Sequence, residues 1–304
     1  KLLFIVNVDW FFLSHRLPIA VEAVKQGYEV HVATTVTGNS DLLENSGMTV
    51  HPLAMHRSRS SVAVVFTEFL EILSLLRKVT PDIVHLVTIK PVLLGGIAAR
   101  VTGVPAVVSA VSGLGFVFVT SGVIARLRRK VISLLYHLAF WHPNQKVIFQ
   151  NLDDQSQLSK LAALSTDRSA LIHGSGVDLS IYKMKLLPKG MPTVLLAARL
   201  LGDKGVREFV RAAELVNKME RHARFVLVGK VDPLNPASIK QSELDSWKEK
   251  GIVECWGHRD DMHHVLSSAA VVVLPSYYGE GLPKVLIEAA ACGRAVITTD
   301  HPGC

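Results

Sequence analysis

Residues 271–300 read VVVLPSYYGEGLPKVLIEAAACGRAVITTD, and this segment decides the fold class. The apolar run 271–274 predicts a buried strand, Pro283 suits the first turn of the helix that follows, and residues 295–299 predict the next strand. A strand, a helix and a second strand in this order are typical of a parallel sheet. The loop after the first strand therefore brings Glu280 to the carboxyl edge of that sheet, where open α/β folds bind their ligands.

The same alternation of short apolar strands and helices extends along the chain. In the first half the predicted strands are residues 2–8, 28–34, 83–87 and 106–110, and the predicted helices are 17–25, 64–77 and 93–101. In the second half the predicted strands are residues 193–197, 224–228, 252–256, 271–274 and 295–299. This pattern predicts an α/β fold of two Rossmann-like, doubly wound parallel-sheet domains that face each other across a cleft.

The boundary between the two domains is predicted in the irregular stretch 183–192. We therefore expect a first domain over residues 1–178, a linker over 179–192 and a second domain over 193–304. Cys304 follows the last predicted strand by only a few residues, so the second domain is expected to be truncated at its carboxyl end. The chain also begins without a methionine, which implies a trimmed amino terminus.

The composition favours a globular and moderately basic protein. The chain has 304 residues, of which 49% are hydrophobic, and it can bury two cores. Its 33 basic and 26 acidic residues give a formal net charge of +7, which suits an anionic nucleotide or an anionic membrane face. Neither half interleaves dense basic residues with aromatic ones, so no nucleic acid partner is expected. No uncharged apolar run reaches about 18 residues, so no transmembrane helix is predicted.

The cysteines and histidines carry little functional signal. Cys255, Cys292 and Cys304 are widely spaced and give neither a disulfide framework nor a zinc site. A reducing cytoplasm is therefore the expected location. The histidines are scattered along the chain, and we assign none of them to a metal.

Two carboxylates, Glu280 and Glu288, stand eight residues apart across a junction between a loop and a helix. A carboxylate beside a helix start can accept hydrogen bonds from a vicinal diol, and the free N–H groups of the first turn form a weak anion site beside it. The pair therefore suits a nucleotide-sugar. The alternative is a solvated glutamate in a loop and a surface glutamate near a positive helix end.

Two cations, Arg199 and Lys204, follow the predicted strand 193–197 and stand five residues apart. A departing nucleoside diphosphate carries about two negative charges, which catalysis must stabilise with Mg²⁺ or with fixed cations. The chain contains no Asp-x-Asp and no His/Cys cluster at metal-ligand spacing, so fixed cations are the expected solution and no metal is predicted. The alternative is a surface arginine and a lysine that flanks a helix.

Residues 280–300, together with the paired cations, resemble the signature of the retaining family-4 glycosyltransferases of GT-B fold. The resemblance implies that Glu280 meets hydroxyls of the transferred sugar and that Glu288 meets the ribose hydroxyls. It also implies that Arg199 and Lys204 grip the diphosphate, which makes Glu280, Arg199 and Lys204 the candidate catalytic residues. The remaining expected donor contacts are Gly281, Leu282, Pro283, Lys284 and Gly113.

The stretch 7–18, read with residues 81–85 and 112–118, looks like a family-4 subgroup that extends lipid-linked oligosaccharides for bacterial capsule, O-antigen or protein glycosylation. Residues 7–18 are predicted as an aromatic loop. An exposed 10–12 segment followed by His15 and Arg16 would suit an apolar acceptor with an anionic head group. The alternative is an aromatic loop that packs in the core.

The position that often holds an active-site histidine in this family is occupied here by Ser112 or its neighbour. This departure removes support for a histidine at the reacting centre. Ser112 is taken as an acceptor contact, and Gly113 and Gly115 would let the backbone approach the sugar closely.

The helix predicted over residues 123–141 is basic at its start, where Arg126, Arg128, Arg129 and Lys130 cluster, and apolar after it. Such a helix can lie on an anionic bilayer with Tyr136 and Trp141 at the head-group level. It can equally be a core helix with a solvated basic end, and its nearly all-round apolar stretch favours burial.

These observations predict a metal-independent retaining glycosyltransferase. The resemblance implies transfer of an N-acetylhexosamine or a hexose from a UDP-sugar to a lipid-linked saccharide, with no cofactor. The expected location is the cytoplasm, with peripheral contact at the inner face of the plasma membrane. The alternatives are a non-catalytic nucleotide-sugar-binding partner of a transferase and a sugar epimerase of the same fold.

Overall fold

The computed structural model describes residues 1–56, 61–113, 123–220, 222–233, 235–277 and 279–304, and for residues 123–129 it describes the backbone alone. The chain divides into two compact units, Lys1–Ser175 and Gly176–Cys304. Each unit contains one parallel sheet with helices between its strands, so the prediction of two parallel-sheet α/β domains is confirmed.

The first unit is built on a seven-stranded sheet with strand order β3-β2-β1-β4-β5-β6-β7. Its strands are β1 (Leu2–Val8), β2 (Val30–Thr35), β3 (Thr49–Pro52), β4 (Ile83–Val87), β5 (Ala106–Val111), β6 (Gln145–Phe149) and β7 (Ser169–Leu171). Its helices are α1 (Asp9–His15), α2 (Leu17–Lys25), α3 (Ser40–Glu44), α4 (Val62–Val79), α5 (Ile89–Thr102), α6 (Val123–Ala139) and α7 (Leu152–Ala162).

Burial on both faces of this sheet explains its nearly continuous apolar strands. In β1 the side chains of Leu3, Phe4, Ile5 and Val6 are all 0% exposed. Leu3 and Ile5 belong to one hydrophobic cluster and Phe4 and Val6 to another, because successive side chains of a strand point to opposite faces. Helices cover both faces, as is usual for a parallel sheet.

The predicted aromatic loop over residues 7–18 is wrong, because residues Asp9–His15 form helix α1. Asp9 is 0% exposed, and its carboxylate accepts a hydrogen bond from the Thr37 backbone N–H at 2.7 Å, which ties the helix start to the loop after β2. Burial works to raise the pKa of Asp9, but hydrogen bonds from Thr37 and Asn39 outweigh it and lower the pKa. The helix therefore begins at an ionised, fully bonded carboxylate.

The second unit is built on a five-stranded sheet with strand order β10-β9-β8-β11-β12. Its strands are β8 (Thr193–Ala197), β9 (Arg224–Val228), β10 (Glu254–Gly257), β11 (Val271–Leu274) and β12 (Ala295–Thr298). Its helices are α8 (Val206–Lys218), α9 (Gln241–Glu249), α10 (Met262–Ser267) and α11 (Lys284–Ala291). A short 3₁₀ turn, Gly202–Lys204, precedes α8.

The predicted linker, residues 179–192, lies inside the second unit. Arg294, which is 4% exposed, binds this segment, because its guanidinium donates to the backbone carbonyls of Lys185 and Leu186. The same side chain also donates to the Ala269 carbonyl at 3.1 Å, which fixes the segment to the body of the unit. The predicted domain limits themselves stay a prediction.

The described ranges contain no helix that is both long enough and apolar enough to cross a bilayer. Within α6, Tyr136 is 1% exposed, which agrees with the favoured interpretation of a core helix and contradicts the alternative that places Tyr136 at a membrane head-group level. Trp141 lies beyond the helix end and is 62% exposed. The side chains of Arg126, Arg128 and Arg129 fall outside the described residues.

Candidate active site

The candidate donor site lies where the strand order of the second sheet reverses. The first strand of the unit, β8, pairs in parallel with both β9 and β11. The connections from β8 and β11 leave the carboxyl edge in opposite directions, which is the point where doubly wound sheets bind ligands. The loop after β8 carries Arg199 and Lys204, and the loop after β11 carries Glu280.

Lys204 and Glu280 meet directly at this edge. The Lys204 ammonium donates to Glu280 Oε1, and the two side chains are 15% and 14% exposed. The sequence places these residues 76 positions apart, so the contact depends entirely on the pairing of β8 with β11. The predicted diphosphate-binding cation and the predicted sugar-binding carboxylate are therefore in direct contact.

Gly205 explains how the Lys204 turn comes so close to β11. Its φ of +75° favours glycine, and a Cβ at this position would lie 2.3 Å from the Pro275 carbonyl oxygen. The Asp203 carbonyl accepts the Tyr277 backbone N–H at 3.1 Å, a second direct link between the two loops. Burial raises the pKa of the Asp203 carboxyl, and the neighbouring Lys204 opposes this rise.

Arg199 lies in the same strand-to-helix connection but has a different partner. Its guanidinium is 42% exposed and forms an ion pair with Asp232, at 3.4 Å, in the loop after β9. An exposed pair of this length contributes little to stability, so the guanidinium can exchange Asp232 for an anionic ligand at small cost. The structure thus brings Lys204 to Glu280 and pairs Arg199 with a neighbouring loop.

Glu288 lies inside α11 and is 6% exposed, which contradicts its alternative interpretation as a surface glutamate of a helix. Lys284, one turn earlier, pairs with its carboxylate at 3.3 Å. Burial and the neighbouring Glu288 carboxylate raise the pKa of Tyr182. A buried carboxylate with a lysine partner one turn away can accept hydrogen bonds from a diol.

The loop into α11 carries the other predicted donor contacts. Pro283 precedes the helix as its N-cap with φ of −62°, and α11 begins at Lys284, so the predicted place of Pro283 in the first turn is wrong by one residue. Gly281 and Pro283 are buried, and Leu282 is half-buried. Their donor roles stay predictions.

The predicted acceptor residues belong to the first unit. Ser112 follows β5 and is itself followed by Gly113, which is predicted as a donor contact; Gly113 has a φ of 107°, a backbone conformation that residues with side chains disfavour. Gly115 falls outside the described residues. Of the predicted exposed segment, Trp10 is 39% exposed, whereas Phe12 is 0% exposed and belongs to the core.

His15 is the last residue of α1 and is half-buried, and Arg16 lies between α1 and α2. The His15 ring stacks on Phe11 with 4.1 Å between centroids. Arg16 is 5% exposed, and one of its guanidinium nitrogens donates to the His15 carbonyl at 2.9 Å. Burial lowers the pKa of Arg16 to about 10. Their acceptor roles stay predictions.

Two side chains beside the predicted donor residues were missed by the sequence analysis, Ser276 and Tyr182. Ser276 is 0% exposed and its hydroxyl lies 3.0 Å from Glu280 Oε1. A serine that directly follows a predicted strand and Pro275 is a signal that could have identified it. Tyr182 comes from the predicted linker, and its contact with Glu288 is a tertiary contact without a local sequence signal.

Two family models match the chain, one in each unit. Residues 1–151 match the family described as glycosyl transferase 4-like. Residues 191–304 match the family described as glycosyl transferases group 1. The second match includes every predicted donor residue except Gly113.

Curated relatives match across both units. An N,N'-diacetylbacillosaminyl-diphospho-undecaprenol alpha-1,3-N-acetylgalactosaminyltransferase of Campylobacter jejuni is 31% identical over 314 residues, which cover 96% of this chain and 81% of the relative. A UDP-Gal:alpha-D-GlcNAc-diphosphoundecaprenol alpha-1,3-galactosyltransferase of Escherichia coli is 27% identical over 246 residues, which cover 75% of this chain and 60% of the relative.

Among solved structures, HepE of Anabaena in complex with UDP and glucose has a TM-score of 0.72 at 16% identity, and the match covers 100% of this chain and 81% of HepE. At this identity the likeness shows the fold alone. Together with the family models and the Campylobacter relative, it defines the class of protein as a glycosyltransferase. The chain belongs to the family-4 glycosyltransferases of GT-B fold, in agreement with the resemblance of its sequence motifs.

Proposed function

We propose that this glycosyltransferase moves an N-acetylhexosamine or a hexose from a UDP-sugar to a lipid-linked saccharide, with retention of configuration and without a metal ion. The observation that carries the proposal is the contact of Lys204 with Glu280 at the switch point of the second sheet. The ammonium suits an anionic leaving group, and the carboxylate suits the hydroxyls of the transferred sugar. Two residues in contact would thus bind the two groups that separate in the reaction, the diphosphate at Lys204 and the transferred sugar at Glu280.

The proposed acceptor is a saccharide carried on a polyprenyl diphosphate, used in the assembly of bacterial surface glycans. The Campylobacter and Escherichia relatives are named for sugars linked to undecaprenyl diphosphate, which supports this acceptor class. Because such an acceptor is anchored in a bilayer, the proposal includes peripheral contact of the protein with the cytoplasmic membrane face.

In the proposed reaction the bond between C1 of the sugar and the diphosphate oxygen breaks, and the acceptor oxygen bonds to C1 on the same face. The acceptor proton passes to the departing diphosphate oxygen. Lys204 and Arg199 would stabilise the negative charge that grows on the diphosphate. Glu280 would orient the sugar, and Glu288 would accept hydrogen bonds from the ribose hydroxyls.

The direct test combines the purified protein with UDP-N-acetylgalactosamine, UDP-N-acetylglucosamine, UDP-galactose and UDP-glucose, each with a synthetic polyprenyl diphosphate carrying one N-acetylhexosamine. We expect one donor to be transferred, with an α linkage visible by proton NMR. Transfer that requires a different nucleotide, or a product of inverted configuration, would contradict the proposal.

Transfer is expected to continue in the presence of EDTA, because Lys204 and Arg199 supply the positive charge that a metal ion would otherwise provide. The measurement is the initial rate after dialysis against the chelator, compared with rates after addition of Mg²⁺ or Mn²⁺. Loss of turnover on chelation, with recovery on adding either ion, would show that the metal-independent mechanism is wrong.

Replacing Glu288 with alanine is expected to weaken UDP binding by about 1.5 to 3 kcal/mol, because the ribose would lose hydrogen bonds to a carboxylate. Isothermal titration calorimetry with UDP measures the effect.

A matched ligand separates this role from a general loss of structure. Substitution of Glu288 should matter less for 2′-deoxy-UDP, which lacks one of the two hydroxyls. If the substitution weakens the binding of both ligands equally, or leaves the affinity for UDP unchanged in a folded variant, Glu288 does not bind the ribose hydroxyls.

A further inference from the structure

A buried hydroxyl contacts both loops of the candidate donor site. Ser276 follows β11 and is 0% exposed. Its Oγ lies 3.0 Å from Glu280 Oε1 and 3.2 Å from the Asp203 carbonyl oxygen. The backbone carbonyl of Ser276 in turn accepts a hydrogen bond from the Thr299 hydroxyl, so the residue is fixed to the end of β12 as well.

The two acceptors around Ser276 compete for one proton. A serine hydroxyl can donate only one hydrogen bond at a time. The Glu280 carboxylate is the stronger acceptor, because hydrogen bonds to a carboxylate are roughly twice as strong as those between neutral groups. The bond to Glu280 is therefore the favoured one, and the Asp203 carbonyl keeps the Tyr277 N–H at 3.1 Å in either case.

The partner of Glu280 must change during the proposed reaction. Before a UDP-sugar binds, the Lys204 ammonium is bonded to the Glu280 carboxylate. When Lys204 binds the diphosphate instead, the Glu280 carboxylate, which is only 14% exposed, loses its ion-pair partner. Such a group needs hydrogen-bond donors to keep its position and its charge. Ser276 is attached to the sheet and is not expected to move with Lys204.

We propose that Ser276 is a positioning residue for the transfer reaction, and that its hydroxyl holds the Glu280 carboxylate in place while Lys204 binds the diphosphate. The inference rests on the proposed roles of Lys204 and Glu280. It adds a residue outside both sequence motifs, one that acts through Glu280 and does not touch the substrate.

The first experiment measures donor kinetics. Ser276→Ala is expected to lower kcat/KM for the UDP-sugar roughly 10- to 100-fold, the range for losing one hydrogen bond to a charged group, while the Kd for UDP changes less than about threefold. Ser276→Thr keeps the hydroxyl and should restore most of the rate. The matched control is Ser267→Ala, which removes a hydroxyl bonded at 2.6 Å to the His263 carbonyl on α10 and should leave the rate unchanged.

A double-mutant cycle separates positioning from a general structural effect. Added to Glu280→Ala, the Ser276→Ala change should lower kcat/KM by less than about threefold, because the carboxylate that it positions is already gone. Equal losses in the presence and absence of Glu280 would overturn the proposal, because a serine that only supports the fold would give that result.

The wild-type protein, the two single variants of this cycle and the double variant are also unfolded in urea without any ligand, and their free energies of unfolding are compared. Coupling between Ser276 and Glu280 in the free energy of unfolding reports their hydrogen bond directly. If the wild-type chain transfers no sugar from UDP donors, the proposed function fails, whereas this cycle still tests the contact. Absence of coupling in the unfolding cycle would show that Ser276 does not hold Glu280.

Discussion

Replacing Lys204 with alanine is expected to lower the turnover number by about two to three orders of magnitude, the range measured when an enzyme loses one group that stabilises developing negative charge. Negative charge on the diphosphate grows as the glycosidic bond opens, so a fixed ammonium gains most in the transition state. UDP affinity should fall less, because the wild-type protein must first separate Lys204 from Glu280 and the variant need not. Steady-state kinetics and calorimetry with UDP measure both effects.

The matched control is Arg224→Ala, which removes a cation bonded to Glu254 at 2.7 Å elsewhere in the second unit. It should leave turnover unchanged. Lys204→Arg keeps the charge and should retain part of the rate. If Lys204→Ala weakens UDP binding as strongly as it lowers turnover, the ammonium contributes uniform binding and has no special role in the transition state.

Replacing Glu280 with alanine is expected to lower transfer about 100-fold, because the sugar would lose hydrogen bonds that orient it. Affinity for UDP alone should stay within about threefold, since UDP carries no sugar for the carboxylate to contact. Discrimination between two UDP-sugars should decrease, because the carboxylate that accepts hydrogen bonds from the sugar hydroxyls is absent. A competition assay with UDP and two UDP-sugars measures all three quantities.

The control for Glu280 is Glu214→Ala, which breaks an ion pair with Arg211 within α8; the two side chains are 2.9 Å apart. This variant should match the wild-type protein in both rate and discrimination. If Glu280→Ala weakens the binding of UDP as much as it weakens the binding of the UDP-sugar, the carboxylate does not contact the sugar. The role implied by the family resemblance would then be wrong at its central residue.

The strands that build the site could be predicted because their residues are apolar and continuous. The predicted bounds of β8, β9 and β11 agree with the structure, and each is a short, mostly apolar run whose side chains are buried or half-buried, apart from Arg224 at the start of β9. Parallel strands covered on both faces produce this pattern. The carboxyl edge of the second sheet, and the loops that leave it, were therefore accessible from the sequence.

Short elements with weak patterns were missed. Helix α1 is too short to show a helical period, and its consecutive aromatic residues read as a loop. Strand β3 is an edge strand in which only partly buried or exposed residues occur, so it has no apolar run. Strand β7 has three residues, none of them fully buried. In each case tertiary packing selects the element.

The roles of individual site residues were only partly predictable. Spacing and motif identify Lys204 and Glu280, but their direct contact depends on the strand order of the second sheet. The burial of Glu288 and its proximity to Tyr182 depend on how residues 176–192 lie against α11. Contacts between segments far apart in the chain leave no trace in either segment alone.

The ion pair between Lys204 and Glu280 also affects how the product leaves. In the proposed reaction, UDP that remains after transfer holds Lys204 away from a carboxylate that has just lost its sugar. Return of the ammonium to Glu280 then competes with the diphosphate and makes UDP a weaker inhibitor of the next cycle. In each turnover Lys204 exchanges Glu280 for the diphosphate and then returns to Glu280. The affinity for UDP is therefore set by the difference between the free energies of these two interactions.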